Sequence, residues 1–172
     1  MRSWVQIPPP RVTRNGAREK KIRKIIAVIG GSEPDEKSLK IAEEVGALIA
    51  KKGAVLITGG MGGVMNAASK GAKSANGLVI GILPTDNKAH ANPYIDIPIV
   101  TGMSEARNII IARTCNCAVA INGKYGTLSE IAYCLMFNVP VVGINTWDIG
   151  APIKKASSAA QAVKIIFEEL LT

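Results

Sequence analysis

Three glycine-rich turns stand where apolar runs end: Gly30-Gly31-Ser32, Gly59-Gly60-Met61-Gly62-Gly63 and Gly123-Lys124-Tyr125-Gly126-Thr127. The last two run directly into segments with helical spacing. A helix N-terminus presents unpaired N–H groups and the positive end of the helix dipole, and glycine lets an anion approach the backbone and permits positive φ. Phosphate is the natural guest of such turns. None matches the full dinucleotide fingerprint, because no acidic residue follows at the expected distance, and none is a Walker loop. Each turn taken singly also reads as a tight strand-to-helix connection. Two of them opening helices in one sheet point toward binding of a small, phosphate-bearing molecule.

Two further residues could act on such a guest. Thr127-Leu128-Ser129-Glu130 has the spacing of a capping box, with Thr127 as N-cap and Glu130 reaching back to a free N–H. The same Glu130, one turn into a phosphate-binding helix, could stabilise an oxocarbenium-like centre or activate water. Arg107 precedes the apolar stretch Ile109-Ile110-Ile111-Ala112; it could snorkel to solvent or aim a bidentate guanidinium at phosphate or sugar oxygens. Other chemistries lack parts. With His90 as the only histidine and no Gly-x-Ser-x-Gly turn, a nucleophilic triad has no members. No local pattern marks a Schiff-base lysine. Cys115, Cys117 and Cys134 suit neither a disulfide framework nor a zinc site, so no metal is expected; they read as small buried thiols in a reducing, cytoplasmic compartment.

The elements that must hold these residues follow from apolar periodicity. Ile25–Ile29, Val55–Thr58, Leu78–Leu83, Ile97–Val100, Cys117–Ile121 and Val139–Ile144 read as strands. Lys37–Lys52, Val64–Ala75, Met103–Thr114, Thr127–Met136 and Ser158–Leu171 read as helices. Short, uniformly apolar strands alternating with helices imply right-handed crossovers and a parallel sheet covered on both faces. The expected fold is α/β, a doubly wound, Rossmann-like parallel sheet in one domain over residues 22–172. Ligands of such sheets sit outside the carboxyl ends of the strands, where crossover direction reverses.

Composition agrees. A chain of 172 residues, 48% hydrophobic, buries one substantial core, and its 4% aromatic content suits helices packed closely on a parallel sheet. No apolar run is long enough to span a bilayer. The net charge of +8 suggests nucleic acid until it is located: residues 1–24 hold eight basic groups against Glu19 alone, leaving 13 basic and 12 acidic groups thereafter. Residues 1–21, with Pro8-Pro9-Pro10 and scattered arginines, read as a disordered basic tail or an over-extended reading frame. Such a tail binds polyanions without specificity, so no specific nucleic-acid partner is expected of the domain.

An ordered set of residues adds a resemblance: Gly59-Gly60 through Gly63-Val64-Met65, Thr101-Gly102-Met103 with Arg107-Asn108, and Tyr125-Gly126-Thr127-Leu128-Ser129-Glu130. Over about Ile25 to Ile144 the chain resembles the LONELY GUY and molybdenum-cofactor-carrier superfamily. Asn92-Pro93-Tyr94 and Arg107-Asn108 look more like the carrier branch than the cytokinin-activating phosphoribohydrolases. The label "lysine decarboxylase", often attached to such proteins, has no support in the residues.

The resemblance implies a phosphate site at Gly123, Lys124, Tyr125, Gly126 and Thr127. Gly31, Ser32, Gly59, Gly60, Gly62, Gly63, Met103 and Asn108 would complete the pocket. The bound ligand would be a nucleotide or the molybdenum cofactor, with no cofactor required. In the hydrolase branch the residues acting on the N-ribosidic bond of nucleoside 5'-monophosphates fall on Arg107 and Glu130. A homo-oligomer, dimer or tetramer, is implied as well. Two positions that the family favours as glycine carry Asn122 and Lys124: asparagine tolerates a left-handed backbone, and lysine does so less readily but brings positive charge.

Overall fold

A computed structural model of the chain describes residues 22–171; the expected basic tail lies outside them. The strand β1 (Ile25–Gly30) leads to the helix α1 (Glu36–Lys51), β2 (Val55–Thr58) to α2 (Val64–Ser74), and β3 (Val79–Leu83) to β4 (Ile97–Val100). A 3-10 turn over Ser104–Arg107 runs into α3 (Asn108–Thr114). Then follow β5 (Cys117–Ile121), α4 (Tyr125–Met136), β6 (Val141–Ile144), β7 (Lys154–Lys155) and α5 (Ala159–Ile165). All pairings are parallel and the strand order is β4-β3-β2-β1-β5-β6-β7, the expected Rossmann-like sheet.

Period-two alternation explains why the central strands are apolar throughout. Ile26 and Val28 face a core layer completed by α1, α2 and α5, whereas Ala27 and Ile29 face a second layer completed by α3 and α4. Registers Ile26↔Cys117 through Gly30↔Ile121 place the ends of β1 and β5 side by side. The first crossovers run from β1 toward β4 and the later ones from β5 toward β7, so direction reverses between β1 and β5.

Several boundaries differ from the sequence reading. The expected helix over Met103–Thr114 is broken: Ser104 has φ +48°, and its N–H is held by the Pro84 carbonyl at 2.9 Å, so the chain turns over the end of β3 before α3 begins. The strand expected from Val139 starts at Val141, Pro140 serving only as an acceptor for the Ala118 N–H. The last helix, capped by Ser158, gives way after Ile165 to a π turn over Ile166–Leu170. The two exposed lysines of β7 carry no apolar pattern that would announce a strand.

The helices α1 and α2 lie against each other backbone to backbone. A β-carbon at Gly46 would overlap the Ala68 carbonyl, and one at Gly71 the Glu43 carbonyl. Substituting Gly71→Ala is therefore expected to destabilise the protein by about 2 kcal/mol or more, seen as a lower urea midpoint at unchanged m-value. A wild-type midpoint would show that the helices can part without cost.

Candidate functional site

The three glycine turns meet at the point of reversal. The Val64 N–H, at the start of α2, donates to the Gly31 carbonyl at 3.0 Å, and the nearest neighbours of Gly31 include the Gly123 backbone. Between the turns lies a cavity of about 370 Å³. Of the residues expected at a site, it is lined by Gly31, Ser32, Arg107, Asn108, Gly123, Lys124, Gly126, Thr127 and Glu130. Gly59, Gly60, Gly62, Gly63, Met103 and Tyr125 do not line it. Two of these shape it from behind: a β-carbon at Gly59 would run into the Arg107 guanidinium and the Met65 sulfur, and one at Gly63 would strike the Gly31 and Ser32 carbonyls.

The turn after β5 enters α4 through two left-handed residues, Asn122 (φ +51°) and Gly123 (φ +106°). Lys124 is the N-cap at φ −109°, so its backbone is not in the left-handed region. No side chain caps α4. The helix therefore begins at Tyr125, and Thr127 and Glu130 do not form the capping box that their spacing suggests. Thr127 is already the third helical residue and is buried against Gly123, while Glu130 lies more than a turn inside the helix. The first-turn N–H groups of α4 have no intrahelical partner.

Glu130 instead meets Arg107. Arg107 Nη1 lies 3.5 Å from Glu130 Oε1, and the two residues are only 8% and 7% exposed. Arg107 thus does not snorkel to solvent. Its Nη1 also donates to Asn108 Oδ1. Asn108 Nδ2 in turn donates to Ser129 Oγ at 2.9 Å, tying the start of α3 to the first turn of α4. Arg107 Nε is buried and has no hydrogen-bond partner among the described residues. Burial lowers the Arg107 pKa against the pull of Glu130 and Glu105, and burial pushes Glu130 up from about 4.5 to about 7, with Arg107 opposing the shift.

Several lining residues were not anticipated: Glu33 and Pro34 after β1, Met61 and Met65, Pro84 at the end of β3, and Ser104 with Glu105. Glu33 and Lys124 form an exposed ion pair at 3.5 Å across the mouth. The rule that ligands gather beyond strand ends covers Glu33 and Pro84; Ser104 and Glu105 depend on the break before α3. Cys115, Cys117 and Cys134 are buried free thiols away from the cavity. Among the described residues no helix is long and apolar enough to cross a membrane.

Comparison with known proteins gives a consistent picture. The SLOG cluster4 family matches residues 23–170. A molybdenum cofactor binding protein from Rippkaea orientalis superposes with a TM-score of 0.81 at 38% identity, covering 85% of this chain and 96% of that one. The molybdenum cofactor carrier protein of Chlamydomonas reinhardtii gives 0.78 at 37% identity, covering 87% and 99%. A protein of Oryza sativa subsp. japonica, described as a probable cytokinin riboside 5'-monophosphate phosphoribohydrolase, is 28% identical over 120 residues, 67% of this chain. The chain spans about half of that relative, 53% of its length.

Because the Glu130 pKa is higher folded than unfolded, the native state keeps a proton that the unfolded chain has released between pH 4.5 and about 7. The stability this contributes is full below about 4.5 and is lost as pH rises through about 7. Glu130→Gln removes the proton exchange. The stability of the variant relative to wild type should rise by on the order of 3 kcal/mol between pH 4.5 and 8, read from urea denaturation at both pH values. A difference independent of pH would contradict this account of Glu130.

Proposed function

Because the chain belongs to the SLOG cluster4 family, we propose that it binds a nucleotide-like, phosphate-bearing small molecule in the cavity between β1 and β5. The observation that carries this reading is the start of α4, which no side chain among the described residues caps and which shares the cavity with Arg107. An anion placed there meets the helix dipole, the guanidinium and, at the rim, Lys124. The volume of about 370 Å³ falls in the range of small-molecule pockets. The molybdenum cofactor fits as cargo, in line with the two structural relatives. The chain would hold the cofactor by its phosphate at the α4 N-terminus, beside Arg107 and Lys124.

A second reading rests on Glu130. A phosphoribohydrolase adds water across the N-ribosidic bond of a nucleoside 5'-monophosphate, releasing base and ribose 5-phosphate. A carboxylate next to the sugar can stabilise positive charge at the anomeric carbon and take the proton of the attacking water. Glu130, beside Arg107 on the cavity wall, has that chemistry, and the rice relative is described as such an enzyme. Its ionisation near neutral pH means that hydrolysis, where present, rises as pH passes about 7.

One experiment separates the readings. Purified protein is incubated with nucleoside 5'-monophosphates and the matching nucleosides, following thermal shift and released base. We expect thermal stabilisation by monophosphates and not by nucleosides, unchanged in sign by Glu130→Gln. Base release that falls about a hundredfold or more in the variant would establish the hydrolase. Absence of both signals for every monophosphate would refute a nucleotide site.

A further inference from the structure

We infer that Thr146 and Trp147, in the loop after β6, are positioning residues for the anion-binding turn. The inference rests on the phosphate site proposed at the start of α4. Neither residue lines that cavity; both line a separate cavity of about 300 Å³ formed by the segments after β6. They nevertheless hold two carbonyls of the turn. Thr146 Oγ1 donates to the Asn122 carbonyl at 2.7 Å, and Trp147 Nε1 donates to the Lys124 carbonyl at 3.2 Å. The Trp147 ring also packs on Tyr125, the first residue of α4, with ring centroids 5.8 Å apart.

The turn needs such a brace. Asn122 and Gly123 are both left-handed, and the space at Gly123 is filled by the Thr127 side chain, so the segment has little freedom to relax locally. Asn145 is itself left-handed (φ +47°), and that bend sends Thr146 and Trp147 back toward β5. In a trans peptide the carbonyl and the next N–H point in opposite directions. The Lys124 carbonyl accepts both the Leu128 N–H at 3.1 Å and the indole N–H, so the indole reinforces the orientation that turns the Tyr125 N–H the other way, out of the helix end. Fixing the Asn122 carbonyl holds the Asn122–Gly123 peptide of the same turn, whose N–H is bound by the Asn122 side chain. The two side chains act on a ligand they do not touch, by setting where the donors of the turn point.

The test uses inorganic phosphate as probe and the backbone amide NMR signals of Tyr125, Gly126 and Thr127 as readout, at a temperature where every protein is folded. Wild type should show saturable shifts. Trp147→Phe keeps the ring and loses the indole donor; Thr146→Val keeps the shape and loses the hydroxyl. Each should weaken phosphate binding about fivefold, whereas Thr146→Ser, which retains the hydroxyl, should stay within about twofold of wild type. Sheet amides that keep their wild-type shifts would show that the fold is intact, since a merely structural role lowers melting temperature without changing affinity below it. Wild-type affinity in both Trp147→Phe and Thr146→Val would overturn the positioning role alone. Failure of the wild-type amides to respond to phosphate would overturn the anion turn itself and the inference with it.

Discussion

Crossovers that run from β1 toward β4 and later from β5 toward β7 force two neighbouring strands to send their chains to opposite faces of one sheet. At that place the strand ends diverge and no helix can cover them, so a crevice is a geometric consequence of the topology. The glycine turns are shaped by it. A β-carbon at Gly30 would meet the Ile121 carbonyl and the Val64 side chain, and one at Gly63 would meet the first turn. Bare backbone from β1, β2 and β5 is thereby packed around one space, with the N-terminus of a twelve-residue helix facing it.

Within that space the arrangement of Arg107 and Glu130 runs against stability. Both are almost fully buried, and an ion pair taken out of water regains its desolvation cost only with good geometry and saturated hydrogen bonds. The pair here is separated by 3.5 Å, and Arg107 Nε has no acceptor. Burial accordingly favours the neutral acid at Glu130 over the carboxylate. Hydrophobic residues of similar volume would satisfy the core at lower cost. What the charged pair provides is a guanidinium and a carboxyl group on the cavity wall, whereas Arg107 Nε, without a partner among the described residues, is itself buried.

Most of the fold was legible because its central strands are buried on both faces and must be apolar throughout, which is why Ile25–Ile29 and Cys117–Ile121 stand out from the polar segments around them. The site was legible in its residue types and less so in their roles. The spacing of Thr127 and Glu130 satisfies a capping box, yet the helix starts at Tyr125, because Gly123 leaves room for Thr127 to fold beneath the turn. Gly59 belongs to the expected phosphate set and is seen to clear space for the Arg107 side chain. Ser104 and Glu105 reach the cavity through a left-handed residue tied to Pro84, a tertiary contact with no local signature. Thr146 and Trp147 follow an ordinary strand, and only the hydrogen bonds they make across to the neighbouring loop distinguish them.

A carrier and a hydrolase built on this scaffold need the same phosphate anchor and differ in what happens one sugar away. For a carrier, Glu130 held as a neutral acid beside Arg107 limits repulsion of an anionic cargo and leaves the guanidinium free to bind it. For a hydrolase the same group must lose its proton, and the arriving phosphate, by drawing Arg107 away, would make that loss harder. An anion bound there would compete with the Glu130 carboxylate for one guanidinium. How that competition resolves depends on Lys124 and the α4 N-terminus: the more of the phosphate charge they neutralise, the more of Arg107 remains to hold Glu130 ionised.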